Sequence, residues 1–141
     1  MPSLTSTWAR ESGPKSLQQA GLKHDDMDLT MIYDSFTYTV MVTLESLGYC
    51  GPGEAADFVA NQRTAPGGDF SLNTNGGGLS YTHPGMYGSF LLVEAVRQMR
   101  GECGDRQVHK KSDSSQNPAT SLVNGTGGSL SSTGTVILAT G

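Results

Sequence analysis

The stretch NTNGGGLSYTHPGMYG (Asn73–Gly88) decides how the rest of the chain is understood. Glycines cluster at 76–78 and return at 85 and 88, Pro84 fixes one φ, and His83 stands among Tyr81, Tyr87, Ser80 and Thr82. Turning a corner needs far less conformational freedom than this. So much permissive backbone around one histidine points to close approach of main chain to another group, with His83 and Tyr81 held beside it. A helical pattern follows at once. Phe90, Leu92, Val93, Ala95, Val96 and Met99 recur on one face, Glu94 and Arg97 are assigned to water, and Gly101 closes the segment.

Working outward, residues 8–20 pattern as a helix with Trp8, Leu17 and Ala20 on its apolar face, and Gly21 is its expected stop. Leu29–Tyr33 is a short apolar run of strand length. Asp34 or Ser35 is the expected cap of a second helix running through Leu47 to Gly48. The succession helix–strand–helix predicts an α/β fold with helices layered on a sheet. Residues 48–72, rich in Gly, Ala and Pro, are expected to be irregular, outside the core and on the substrate side. Gln107–Gln116 is expected to be a surface loop. Ala119–Val123 and Thr135–Ala139 are expected as two closing strands joined across Asn124–Gly128.

The bulk properties exclude several classes. The 141 residues suit one domain with a core of its own, and the nineteen glycines follow no fibrous period. A net charge of −4, with the nine basic residues forming no stripe, argues against nucleic acid; Lys110 and Lys111 are assigned to solvated surface. Apolar runs are too short for a membrane span, and residues 1–10 carry no apolar signal segment. Cys50 and Cys103 are isolated, without CxxC or zinc spacing; two ordinary thiols of a cytoplasmic protein are the simpler expectation, with a disulfide between them as the alternative, and no metal site is expected. The glycines lack the GxGxxG spacing of a dinucleotide site.

Three segments are candidates to meet at one site: Tyr33 to Phe36 at a strand end, the glycine run with Tyr81 and His83, and the Gly125–Gly128 turn. Histidine exchanges protons near neutrality. A neutral tyrosine donates a hydrogen bond to a developing oxyanion without any retuning, so the two together suit enolate or alkoxide chemistry. Taken alone, His83 is as readily a structural histidine, Asp34 a helix cap, and Tyr38, Tyr49 and Tyr87 packing groups. Cys103, beside Glu102 and Asp105, has neighbours that raise a thiol pKa and is set aside as a nucleophile.

The run 73–88 resembles the histidine motif of thiolases, above all the lipid-transfer or sterol-carrier-protein branch, at Asn73, Gly76, Gly77, Ser80, His83 and Pro84. Tyr33 to Phe36 stands where that family carries Asn-Glu-Ala-Phe or His-Asp-Cys-Phe. Asn124–Gly128 and Gly134–Leu138 resemble its terminal glycine loop and last strand. The resemblance implies that residues 1–141 are a thiolase-like C-terminal domain, a central mixed sheet with packed helices. It further implies an N-terminal thiolase half absent from these residues, so that Met1 opens a fragment, a truncated product or one component of a split enzyme.

The departures from the family pattern point further. Gly125 stands where thiolases place a proton-shuttling cysteine, and Tyr33 replaces Asn or His. The same departures resemble the thiolase-like aldolases that shorten steroid side chains on coenzyme A. The function implied is retro-aldol cleavage of a β-hydroxyacyl-CoA in lipid metabolism or steroid degradation, carried out by a complete assembly rather than by this chain alone. The alternatives are the C-terminal half of an acetyl-CoA acyltransferase, or a non-catalytic domain that binds lipid, acyl-CoA or a partner. The catalytic candidates are His83, Tyr81 and Tyr33, and the substrate-binding candidates are Gly77, Gly78, Ser80, Gly127 and Gly128. Coenzyme A enters as part of an acyl-CoA or steroid-CoA substrate, with no tightly bound cofactor. The implied partners are the N-terminal thiolase half, a second copy in a homodimer and an OB-fold protein of the DUF35 type.

Overall fold

The computed structural model describes residues 3–128 and 130–141. Its elements are α1 (Ala9–Ala20), β1 (Leu29–Ile32), α2 (Thr37–Leu47), α3 (Ala55–Val59), α4 (Gly77–Ser80), α5 (Tyr87–Met99), β2 (Thr120–Gly127) and β3 (Ser132–Ala139). The strands form one mixed sheet in the order β1-β2-β3, with β1 parallel and β3 antiparallel to β2. Helices α1 and α2 cover one face and α5 the other. This is the α/β layering expected from the sequence.

The β1 strand is buried on both faces because it lies between those layers. Its side chains alternate: Leu29 and Met31 join Tyr87, Leu91, Ala95 and Val123 under α5. Ile32 joins Leu17, Leu44, Leu47 and Leu122 on the side of α1 and α2. The α1 helix presents Ala9, Gly13 and Leu17, four residues apart, to α2. A side chain at Gly13 would meet Leu47 Cδ2 at 2.8 Å, so the buried Leu47 would have to shift to admit one.

Residues 48–72 are irregular apart from α3, as expected, but they are not outside the core. Ala55 is fully buried, Phe70 is nearly so, and the rings of Tyr49 and Phe58 meet that of Phe70 edge-on at 5.0 and 5.1 Å. Three widely spaced aromatics carry no periodic signal, yet together they close the open end of the α2 layer. The segment then docks on the free edge of β1, where Thr30 N–H donates to Ser71 O at 2.9 Å and Asn73 N–H donates to Thr30 O at 3.1 Å. The Asn73 side chain extends that pairing by one residue, accepting from Ile32 N–H at 2.8 Å and donating to Ile32 O at 2.9 Å. None of this lies on the cleft that Tyr33 and His83 share.

Two further expectations are corrected by long-range contacts. The segment Asn124–Gly127 is strand rather than connection: β2 runs on through the glycines, pairing Gly125 with Gly134 and Gly127 with Ser132. The bend begins at Gly128, and the connection includes Ser129, which lies outside the described residues. On α5 the expected faces are shifted. Tyr87, Leu91, Ala95 and Gln98 are buried together with Glu94, whereas Phe90, Leu92 and Val93 are exposed.

Glu94 is buried because a partner reaches it from outside the helix. Its two oxygens accept from Arg106 Nε and Nη2, both at 3.1 Å, and Oε1 also accepts from Thr74 Oγ1 at 2.8 Å and Gln98 Nε2 at 3.1 Å. Burial pushes this carboxyl pKa upward, but the bonds from Arg106, Thr74 and Gln98 outweigh it and hold the value below the ordinary carboxylate range. A depressed folded-state pKa gives stability that is complete above the unfolded-state value, about 4.3, and is lost as pH falls through the folded-state value. Glu94→Gln is therefore expected to lower stability by about 1–3 kcal/mol at pH 7. Urea denaturation at pH 7 and pH 3 should show the gap to the parent chain closing at the lower pH.

Candidate active site

Tyr33 is the first residue beyond β1, and its backbone N–H donates to Asn124 O at 2.9 Å, which carries the parallel pairing one step past the strand. This places its ring at the C-terminal edge of the sheet, where ligands collect in open α/β folds. The ring meets His83 edge-on at 6.0 Å and 81°, and Tyr87 at 5.5 Å and 82°. Tyr87 is fully buried, and burial pushes its phenol pKa up to about 12 against the opposing effect of its hydrogen bond to Asn75. It stays protonated at neutral pH and serves as a wall behind Tyr33.

Tyr33 and His83 open onto one cleft of about 950 Å³. Gly125, Gly127 and Gly128 of the β2 end line it, and so do Gly88 at the start of α5 and Gly134 of β3. A Cβ at Gly125 would meet only Gly88 Cα at 3.7 Å, so packing at the Cβ position does not demand glycine there. Phe36 and Met86 form an apolar rim, 69% and 85% exposed. Both lie within the candidate segments, but neither is among the candidate site residues: Phe36 lies at a helix start and Met86 in a left-handed turn with φ 63°.

The other candidates fall elsewhere. Tyr81 is 59% exposed and faces a separate cavity of about 300 Å³, beside Phe90, Arg97 and Arg106. Ser80 lines a third cavity of about 460 Å³ near Asn73 and Gln107. Gly77 and Gly78 line none of these three cavities. Their amides are already engaged, Gly77 N–H donating to Asn75 Oδ1 at 3.0 Å and Gly78 N–H to Asp34 Oδ1 at 2.6 Å. The close approach foreseen for the glycine run is thus an approach to Asp34.

Asp34 does not cap α2. That helix begins at Thr37, and the Thr39 hydroxyl accepts from Phe36 N–H at 3.1 Å. Asp34, buried, turns the other way and accepts from Gly78 and from Leu79 N–H at 3.2 Å. A pairing across 44 residues leaves no local mark in a sequence, whereas helix capping does.

Both cysteines are free and lie outside the cleft. Burial, followed by Glu94, raises the Cys103 thiol pKa, and burial with Glu45 and Glu54 does the same for Cys50. Neither is poised as a thiolate nucleophile. Among the described residues no three His, Cys, Asp or Glu side chains gather as for a metal ion, and no helix is long and apolar enough to cross a membrane.

Comparison with known proteins agrees with this architecture. A family described as thiolase C-terminal domain-like matches residues 1–140. The 17-hydroxy-3-oxo-4-pregnene-20-carboxyl-CoA lyase of Mycobacterium tuberculosis is 45% identical over 85 residues, covering 59% of this chain and 21% of that protein. A steroid side-chain-cleaving aldolase of Thermomonospora curvata is 43% identical over 91 residues, 63% of this chain and 22% of that one. Human sterol carrier protein 2 is 35% identical over 101 residues, 71% of this chain and 18% of the relative. The matched segment therefore spans about a fifth of the length of these curated relatives. Among solved structures, an Ltp2-ChsH2(DUF35) aldolase superposes with a TM-score of 0.79 at 29% identity, over 99% of this chain and 34% of that one.

Proposed function

The chain belongs to the thiolase C-terminal domain-like family, and we propose that it supplies one wall of an active site for retro-aldol cleavage of a β-hydroxyacyl-CoA. The observation that carries this is the edge-to-face pairing of Tyr33 and His83 on a cleft whose Gly125 has no side chain. Cleavage of this kind needs a proton donor and acceptor and a stabilised enolate. It needs no acyl-enzyme and hence no cysteine.

In this reading Tyr33 acts as its phenolate and accepts the proton of the substrate's β-hydroxyl as the C–O bond becomes a carbonyl, which leaves the phenol as the donor for the last step. The Cα–Cβ bond breaks, and its electron pair moves onto the thioester as an enolate. His83 donates a hydrogen bond to the thioester oxygen, aided by backbone near Gly127, and the proton returns to Cα. The products are a ketone or aldehyde and a shortened acyl-CoA, with every atom accounted for. Two of the relatives, the carboxyl-CoA lyase and the steroid side-chain-cleaving aldolase, support a steroid-CoA as substrate. The apolar rim at Phe36 and Met86 suits such a ligand.

The complete assembly is proposed to contain an N-terminal thiolase-like half and a DUF35-type OB-fold protein, the latter supported by similarity to the solved Ltp2-ChsH2(DUF35) aldolase. The test is turnover by that assembly. Release of a ketone or aldehyde from a β-hydroxyacyl-CoA, without a requirement for free CoA, is expected. Cleavage of a β-ketoacyl-CoA only when free CoA is supplied would replace this reading with a thiolase. Binding of acyl-CoA without turnover of either would leave a non-catalytic domain.

A further inference from the structure

The run from Gly76 to Met86 bears His83, and among the described residues its hydrogen bonds to side chains outside it are made by backbone N–H groups. Before it, Asn73 is tied to Ile32 and Thr74 to Glu94. After it, Tyr87 is packed beneath α5. Between these anchors, among the described residues, the hydrogen bonds that hold the run to the β1–α2 connection are the two accepted by Asp34, from Gly78 N–H at 2.6 Å and Leu79 N–H at 3.2 Å. Both are bonds to a carboxylate, the stronger class of hydrogen bond, and Asp34 is buried so that water does not compete for it. A side chain at Gly78 would find Asp34 Oδ1 at 3.2 Å and His83 Nδ1 at 3.6 Å, so carboxylate and imidazole flank the same bare point of backbone. Asp34 is also the residue that follows Tyr33.

We propose that Asp34 is the positioning residue that sets the spacing of Tyr33 and His83. It clamps the Gly78 and Leu79 amides onto the end of β1. The inference rests on the assignment of Tyr33 and His83 to one reaction. Because Asn73, Thr74 and Tyr87 anchor the run on either side, losing the clamp lets the segment shift without unfolding the sheet. A displacement of about 1 Å between reacting groups is enough to cost about 100-fold in rate.

The test compares Asp34→Asn and Asp34→Ala in the complete native assembly. Asn keeps one accepting oxygen and loses the charge, whereas Ala removes both bonds. Each is expected to lower kcat, by about 10-fold for Asn and about 100-fold for Ala, with KM for the acyl-CoA changed less than about 3-fold. Hydrogen exchange at the amides of residues 78 and 79, followed by mass spectrometry, is expected to quicken at least about 10-fold in both. Unchanged exchange in the Asn variant overturns the clamp, whatever the activity. So does an unchanged kcat in that variant when Tyr33→Phe is inactive. If Asp34→Ala fails to assemble, the Asn variant decides alone. Full activity of Tyr33→Phe would instead overturn the proposed function, while the exchange result still reports on the clamp.

Discussion

Tyr33→Phe is expected to lower the rate of carbon–carbon cleavage by the complete assembly about 10²–10⁴-fold, the range lost when a positioned acid or base is removed. The substitution deletes one oxygen and leaves the ring that packs edge-on against His83 and Tyr87. Binding of the acyl-CoA and the melting temperature should therefore change little, so that the loss appears in kcat rather than in KM. The companion variant Tyr81→Phe, on the neighbouring cavity beside Phe90 and Arg106, should lose less than about 3-fold. Single-turnover measurement of ketone or aldehyde release separates the chemical step from product departure. The reverse pattern, with Tyr81→Phe inactive and Tyr33→Phe normal, would move the proton-transfer role across the glycine run and overturn the proposed arrangement.

Gly77→Ala is expected to be the most damaging single-methyl change in the glycine run. Gly77 holds a left-handed φ of 68°, and a Cβ there would run into the buried carboxylate of Asp34. Left-handed backbone costs an alanine about 1–2 kcal/mol. Displacing Asp34 breaks its bonds to the Gly78 and Leu79 amides and leaves that buried carboxylate without them, at about 1–3 kcal/mol. A loss of about 3 kcal/mol or more is expected by urea denaturation. Gly85→Ala is the matched control: φ there is not positive and a Cβ meets nothing within 4 Å, so the change should fall within about 0.5 kcal/mol of neutral. Equal stability of the two variants would show that the glycine run is permissive rather than demanded by Asp34.

The clamp and the glycine requirement are two sides of one contact, and they explain why the run mixes tight positions with free ones. Gly77 is bare because a carboxylate occupies its side-chain space, and Gly78 is confined by that carboxylate and by His83. Farther along, exposed Met86 and the bare Gly88 line the cleft onto which Tyr33 and His83 open.

Local chemistry makes much of this protein legible in one dimension. Helix α1 ends at Gly21 and α2 at Gly48, as their left-handed stop glycines predict, and Leu29–Ile32 is the buried strand that its run of apolar residues implies. The order of the Tyr33, His83 and Gly125 segments carries the family likeness, because motif spacing survives along the chain. Three matters are decided only where distant segments meet. Glu94 is buried by an arginine twelve residues away, against the amphipathic pattern of its own helix. Asp34 leaves the helix it precedes for amides 44 and 45 residues on. Tyr33 and Tyr81, equally good candidates by type, are separated because only the first stands at the end of a strand paired with β2. The sequence determined which groups were present and how the chain bends near each of them. Which groups face one another was left to packing, since a hydrogen bond or a ring contact depends on distance in space and leaves no period along the chain.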